Sequence, residues 1–405
     1  MRIKKVDDFL FRILLCLVAG VIGATVLGLG GLSSVCFALT FPATAALWLY
    51  SVRRGLRSLD WLILGTAVLA FVCVLVNLLA SGGGFSLSYF KKPIMFTMTL
   101  MLLSACYGMR AGAGMRRFAH GLADILVLVL LAAHLLMRDQ MHTLNDVSTR
   151  YAAFRFSNPN LTAIFFTCLY MLELIRMIQA RSRQDRIIHA ALTAVMGFFV
   201  LDTRSRNGLL VGVLFTALAV CVCFRKLIWQ KLRLRVPLRI TLPAAGIISV
   251  IPAAFAALYM ALIGAPWVQT VFGFLVSEGK QLDSRVKMWS PAIEAIGNAP
   301  LTGDFYTITA GTGSGQMHNT HLDIAASYGI IVLVLVCVLL TVLIYQNGKR
   351  YRRRSDYLYM LAFCCTLMLG IFESVMFSGG LGTYIYMCMF LLLSKAPKQK
   401  GQERS

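Results

Sequence analysis

Three side chains in polar segments of this sequence have the chemistry to bind phosphate and to move a proton. Arg206 lies in the 202–208 segment, and Arg285 and His318 lie in the 265–320 segment. A guanidinium group is a planar fork that binds phosphate oxygens in pairs. An imidazole accepts and releases a proton near neutral pH. If they meet in space, the three side chains suit a phosphorylated lipid substrate and an acceptor that must lose a proton.

Five further residues are candidates for substrate contact: Arg155, Asn158, Arg204, Asn319 and His321. Most of them also have a structural interpretation. Arg204 and Arg206 could instead reach lipid headgroup phosphates, with Asp202 as a local partner. Asn158 could belong to an Asn-Pro turn that starts a helix. His321 could be a hydrogen-bonding partner within the bundle.

The residues around His318 also allow a metal site. His318, His321 and Asp323 combine two imidazoles with a carboxylate, which are zinc ligands. The glycine-rich 311–315 segment before them lacks the preceding strand and the following lysine of a phosphate-binding P-loop. We favour proton transfer at His318 and predict neither a metal nor an organic cofactor.

The composition is typical of a membrane protein. Of the 405 residues, 58% are hydrophobic and 14% are charged, whereas soluble domains are about 45–50% apolar. The net charge of +22 indicates basic cytoplasmic loops, because the basic residues form no face on a soluble module that would bind nucleic acid. The 11 cysteines lie within apolar runs, so the sequence predicts no disulfide framework.

Twelve apolar runs predict transmembrane helices, each of which needs about 20 residues. They cover residues 9–30, 32–50, 61–80, 93–109, 121–137, 161–180, 188–203, 208–224, 240–264, 321–345, 357–376 and 379–394. The predicted fold class is an all-α polytopic membrane protein. Residues 1–405 would form one membrane domain, and residues 265–320 would form an extracytoplasmic loop between the ninth and tenth spans.

Lysine and arginine alternate in density from one connection to the next. Every second connection is basic, as the positive-inside rule requires of a chain with both termini in the cytoplasm. The basic residues predicted on the outer side are Lys91, Lys92, Arg138, Arg150, Arg155, Arg204, Arg206, Lys280, Arg285 and Lys287. They go against the rule, so they are the basic residues that most need a purpose.

Residues 283–300 predict a short helix on the bilayer surface. Its apolar residues recur at helical spacing: Val286, Trp289, Ile293 and Ile296. Gly297 and Pro300 would end this helix, although Pro291 could break it earlier.

Acidic residues within the apolar runs are candidates for function. Glu173 has Arg176 as a potential partner three residues later, and Asp124 lies near the inner end of its run. Glu373 lies near the outer end of its run and could line the same cavity as the basic residues.

The polar motifs follow one another in a specific order. They are Asn-Pro-Asn at 158–160, Thr-x-Ser-Arg-x-Gly-Leu-Leu at 203–210, Arg-x-x-x-Trp at 285–289, Pro-Leu-x-Gly at 300–303, His-Asn at 318–319 and Ala-Ser-Tyr-Gly at 326–329. In this order the sequence resembles the O-antigen ligase and polymerase family of bacterial envelopes, over residues 150–345. The sequence departs from the family at Gly303-Asp304-Phe305, where the family has Gly-x-Gly.

The resemblance implies a GT-C-like helical bundle and a metal-independent glycosyltransferase. Such an enzyme transfers or polymerises a glycan from undecaprenyl diphosphate onto an acceptor sugar hydroxyl at the outer face of the bacterial cytoplasmic membrane. The resemblance implies that Arg206 and Arg285 bind the diphosphate and that His318 is, or positions, the base. The chemistry of the reaction agrees with this assignment, because a glycosyl diphosphate is already activated. The enzyme has mainly to neutralise the charge of the departing diphosphate, remove a proton from the acceptor hydroxyl and align the two.

Two other classes of membrane protein share this composition. A flippase or exporter of lipid-linked oligosaccharide typically has two similar halves, whereas the long loop here follows span nine and has no counterpart after span three. A structural scaffold of an envelope complex would leave the outer arginines unexplained. Within the enzyme class, the motifs fit a ligase and a polymerase equally well.

Overall fold

The protein is almost entirely helical in a computed structural model. The structure describes residues 2–53, 55–81, 90–109, 111–144, 150–152, 154–156, 159–232, 239–262, 265, 283–304, 317–349, 354–376 and 383–395. The helices are α1 Arg2–Val26, α2 Gly30–Val52, α3 Ser58–Ser81, α4 Lys91–Gly108, α5 Ala113–Leu136, α6 Arg138–Met141, α7 Pro159–Gln179, α8 Arg183–Asp202, α9 Arg206–Cys223, α10 Arg225–Leu232, α11 Leu242–Leu262, α12 Asp283–Asn298, α13 Thr320–Gly348, α14 Arg354–Leu369 and α15 Thr383–Leu393. Strands β1 His142–Leu144 and β2 Arg150–Ala152 form one antiparallel pair.

Nine helices in the described part of the chain are long and apolar enough to span a bilayer, namely α1, α2, α3, α5, α7, α8, α9, α11 and α13. Three further helices coincide with predicted apolar runs but are not among these nine: α4, which begins with two lysines, and α14 and α15, which are only 16 and 11 residues long. Each of the twelve predicted apolar runs thus coincides with a helix, and the polytopic, essentially all-α membrane fold is confirmed. The count of twelve spans and the GT-C-like arrangement stay predictions.

Helix α14 ends earlier than the predicted run of 357–376. The helix stops at Leu369, and residues 370–376 continue as turns and bends. The start of α13 satisfies part of this backbone: Thr320 N donates to Gly370 O at 2.8 Å, and Val375 N donates to Thr320 Oγ1 at 2.9 Å. Backbone that leaves a helix inside a bundle needs such partners for its N–H and C=O groups. We call residues 369–376 the 369–376 segment.

Helix α13 is broken at Gly329, where φ is 87° and ψ is 168°. The break exposes backbone groups on both sides. Ala326 O accepts a hydrogen bond from Asp304 N, and Ile330 N donates to Pro300 O, each at 2.8 Å. The turn after α12 thus closes the break, and the helix is two half-helices joined through protein rather than lipid.

Two glycines allow this close approach. A Cβ at Gly303 would lie 2.5 Å from Ala326 O, and a Cβ at Gly329 would overlap the carbonyl group of Leu301. Both glycines have positive φ. The Pro-Leu-x-Gly and Ala-Ser-Tyr-Gly motifs therefore form one joint in the fold.

Hydrogen bonds between helix termini define two ends of the bundle. The first end contains the pairs Lys92–Asp323, Asn207–Leu369 and His142–Asp202. The second end contains the pairs Arg116–Asp356, Arg116–Lys395 and Ile240–Gly348. We call them the His318 end and the Arg116 end. At the His318 end, the first residues of α4, α9 and α13 lie with the last residues of α8 and α14. This arrangement is expected when successive helices cross the bundle in opposite directions.

Candidate active site at the His318 end

His318 lies directly before α13 in a strained backbone conformation. Its φ is 49°, in the left-handed region. Among the described residues other than glycine, only four have a positive φ: Phe154, Arg155, Arg204 and His318. All four lie at the His318 end, and three of them are predicted site residues. Such strain costs on the order of 1–3 kcal/mol per residue and concentrates at functional sites.

His318 is paired with a buried carboxylate. Nδ1 of His318 lies 2.7 Å from Oε2 of Glu373, and the side chains are 20% and 1% exposed. A carboxylate in this contact accepts, so the Nδ1–H group of the ring donates and Nε2 keeps a lone pair that can take up a proton. The carboxylate then stabilises the resulting imidazolium through a charge-assisted hydrogen bond.

The two residues predicted to contact substrate next to His318 are bonded within the protein. Asn319 caps α13 by accepting from Leu322 N at 2.8 Å, and its Nδ2 donates to Pro252 O at 2.9 Å. His321 is buried and donates from Nε2 to Ser249 O at 2.7 Å. Pro252 lies inside α11, has no N–H group, and so weakens the helical bonding of the preceding turn. These contacts favour a structural role for Asn319 and His321.

The 369–376 segment connects Arg206 with His318. Arg206 is the first residue of α9, and the Nδ2 group of its neighbour Asn207 donates to Leu369 O at 2.9 Å. Glu373, the partner of His318, comes four residues after Leu369, which limits the distance between their Cα atoms to about 14 Å. Arg206 and His318 therefore lie at the same end of the bundle, attached to neighbouring points of one segment.

Arg204 and Arg206 have exposed side chains at the turn between α8 and α9. Neither guanidinium has a hydrogen bond or ion pair within the part of the chain that the structure describes. Asp202, the local partner considered for both, instead lies 2.9 Å from His142. The two cations thus remain available to bind an anion.

Arg155 lies at the same end but has a protein partner. Its guanidinium donates to Gln140 Oε1, and it covers Gly28 so closely that a Cβ there would overlap it. Asn158 lies outside the described residues. The structure thus brings Arg155 to the turn between α1 and α2.

Arg285 lies in the first turns of α12, and its side chain is outside the described residues. Trp289, four residues later and about 6 Å along the helix, is fully buried and donates from Nε1 to Met317 O at 2.8 Å. The helix that carries Arg285 is therefore attached, through Trp289, to the residue that precedes His318.

The helix predicted over residues 283–300 is present as α12, but part of its predicted apolar face packs against protein. Trp289 and Ala292 are buried in a cluster with α11 and α13, and Ile293 is 40% exposed. Pro291 lies inside α12 without ending it. The prediction considered only the large apolar residues of this helix. It overlooked the small alanines, which let the helix pack closely against its neighbours.

No model of a known protein family matches this chain, and no curated protein matches it.

Lys92 was predicted on the outer side without a role, and the structure gives it one. Its Nζ donates to Asp323 Oδ1 at 2.6 Å and to Ser327 Oγ at 2.9 Å. Ser374 donates to the other carboxylate oxygen of Asp323. Because Asp323 is engaged in this way and His321 bonds to backbone, the described residues do not form the metal site considered for His318, His321 and Asp323. A lysine at the start of an apolar run was the only sequence signal.

The predicted pairing of Glu173 with Arg176 is confirmed. Arg176 Nη1 donates to Glu173 Oε1 at 3.0 Å and also bonds to Asp124. His189 Nδ1 lies 2.9 Å from Glu173 Oε2. This network belongs to the half of the bundle near the Arg116 end, so these carboxylates lie away from His318.

Proposed function

We propose that this protein is a membrane glycosyltransferase of bacterial cell-surface polysaccharide synthesis. It would transfer or polymerise a glycan from undecaprenyl diphosphate onto an acceptor sugar hydroxyl at the outer face of the cytoplasmic membrane. The observation that carries the proposal is the His318–Glu373 pair at the same end as the exposed guanidinium groups of Arg204 and Arg206.

Each group has a defined role in the proposed reaction. The acceptor oxygen attacks the anomeric carbon and gives its proton to Nε2 of His318. The bond from that carbon to the diphosphate oxygen breaks, and the lipid diphosphate leaves with the electron pair. Glu373 stabilises the imidazolium, while Arg206 and Arg285 neutralise the leaving group. This assignment uses no metal and no organic cofactor.

Helix dipoles add to the positive charge at this end. Helix α9 begins at Arg206 and α13 begins at Thr320, so the positive ends of both helices lie near the proposed diphosphate site. Helix N-termini favour anions by about 0.3–1 kcal/mol when exposed, and by more when partly buried. The N-termini and the arginines therefore favour the same ligand.

One feature favours the alternative of a lipid-linked oligosaccharide flippase. Broken helices such as α13 often bind substrate in transporters. Here, however, the Pro300–Ile330 and Asp304–Ala326 hydrogen bonds close the break. A Cβ at Gly329 would overlap Leu301, so the break is packed with protein. The glycosyltransferase explains more of the site.

The experiment incubates purified protein with lipid-diphosphate glycan and candidate acceptors. Growth in chain length indicates a polymerase, and label on a new acceptor indicates a ligase. His318→Ala and Arg285→Ala should abolish transfer while membrane insertion is retained. Arg183→Ala, an exposed arginine at the start of α8, is the matched control. Unaltered glycan product in the His318 or Arg285 variant would refute the proposal, and glycan translocation in proteoliposomes without new bonds would support the flippase.

A further inference from the structure

A second cluster of chemically active side chains lies at the His318 end, outside the proposed active site. It consists of His134 near the end of α5, His142 in β1 and Asp202, the last residue of α8. One ring nitrogen of each histidine and one carboxylate oxygen lie within 4.8 Å of one another. Three separate segments of the chain thus converge through groups that bind transition metals.

His142 has the orientation of a metal ligand. Its Nδ1 lies 2.8 Å from the carbonyl oxygen of Arg138, and because a carbonyl only accepts, Nδ1 carries the hydrogen. Metal-binding histidines are usually held by such a bond, which leaves Nε2 to the metal. Here Nε2 faces Oδ2 of Asp202 at 2.9 Å. Two lone pairs at this distance require a cation, either a proton or a metal ion.

His134 provides a second, independent observation. The residue is only 8% exposed, and its Nδ1 has no hydrogen-bond partner among the described residues. Its ring packs against those of Phe154, Phe198 and Phe199. A buried polar atom without a partner costs about 1–3 kcal/mol, so the imidazole lacks the hydrogen bond that a structural histidine would make.

We propose that His134, His142 and Asp202 bind a divalent transition metal of the Zn²⁺ class, with water in the remaining position. Bonds of about 2.0–2.1 Å in a tetrahedral site place ligand atoms about 3.3 Å apart. His142 and Asp202 are already close to this separation, and because all the ligand atoms lie within 4.8 Å of one another, no pair has to close by more than about 1.5 Å on binding. The ion would join α5 and β1 to the turn that carries Arg204 and Arg206. The proposal does not depend on the glycosyltransferase assignment.

Asp124, Glu173 and His189 form a similar group of potential ligands, but we do not propose a metal site there. Arg176 bonds to both of its carboxylates, and this cation supplies the positive charge that a metal would bring. The comparison provides a control variant within the same protein.

The test uses full-length protein purified without a polyhistidine tag and titrated with ZnCl₂. We expect about one Zn²⁺ per chain. Asp202→Asn and His142→Gln should each weaken binding at least about tenfold, while His189→Gln leaves it unchanged. Equal binding in all variants, or no saturable binding in the wild type, overturns the proposal.

A second measurement applies even if a variant fails to fold. Co²⁺ bound to the wild-type protein should give the intense visible bands of a four-coordinate site, and ZnCl₂ should remove them. Added ZnCl₂, but not MgCl₂, should also raise the unfolding temperature. A weak six-coordinate spectrum without thermal stabilisation would contradict a built site.

Discussion

Nδ1 of His318 lies 2.7 Å from Oε2 of Glu373, although 55 positions separate the two residues in the sequence. Two further hydrogen bonds join the same stretches: Thr320 Oγ1 donates to Glu373 O, and Asn319 Nδ2 donates to Ile371 O, each at 2.9 Å. The pair is therefore held by the backbone around both side chains. Its geometry does not depend on the imidazole and the carboxylate alone.

Glu373→Gln should lower the turnover number kcat of glycan transfer by about 10²-fold or more, because the imidazolium of His318 loses its negative partner while the side-chain size is kept. KM for the donor should change little. Steady-state kinetics with purified enzyme provide the measurement. Glu294→Gln, at an exposed position on α12, is the control, and wild-type kcat in Glu373→Gln would remove Glu373 from the mechanism.

Arg206→Ala should reduce kcat/KM by about 10²–10³-fold, since an anion-stabilising donor is lost in the transition state. Arg206→Lys should recover only part of this loss, because the charge is kept but the planar fork is not. Transfer assays on both variants, with Arg183→Ala as the control, test this prediction. If Arg206→Ala retains full activity, the guanidinium serves lipid headgroups instead.

Lys92→Met should destabilise the protein by about 3–5 kcal/mol, because buried Asp323 then lacks its counter-charge. The double variant Lys92→Met/Asp323→Leu should lose less than the sum of the single losses. Equilibrium unfolding in detergent measures both. Lys91→Met, at the exposed neighbouring position, should remain within about 0.5 kcal/mol of wild type; equal losses in Lys91→Met and Lys92→Met would contradict the ion pair.

Gly329→Ala should destabilise the fold by at least about 2 kcal/mol, since its Cβ would overlap Leu301 and its φ of 87° disfavours alanine. Gly246→Ala is the matched control, because its Cβ meets no atom within 4 Å inside α11. This second change should be neutral or stabilising by up to about 1 kcal/mol. Thermal unfolding of both variants compares them, and an intact Gly329→Ala protein would argue against the packed break.

The apolar runs predicted the helices well because a chain in lipid must satisfy its backbone within each segment. For example, the runs predicted over 188–203 and 208–224 correspond to α8 and α9, with Arg204 and Arg206 at the tight turn between them. The prediction failed where distant partners replace the helical bonds. Residues 370–376 leave the helix because Thr320 bonds to Gly370. Trp289, predicted to face the bilayer surface, is instead buried in protein and bonds to Met317.

By itself, the sequence determined the membrane class, the positions of the helices and the polar segments that contain Arg206, Arg285 and His318. Only the tertiary structure decided the pairs: His318 with Glu373, Lys92 with Asp323, and Asp202 with His142 rather than with its neighbouring arginines. Helix formation uses hydrogen bonds within one segment, so local composition predicts it. Ion pairing depends on distances between helices that are remote in the sequence, and these distances are set when the helices pack.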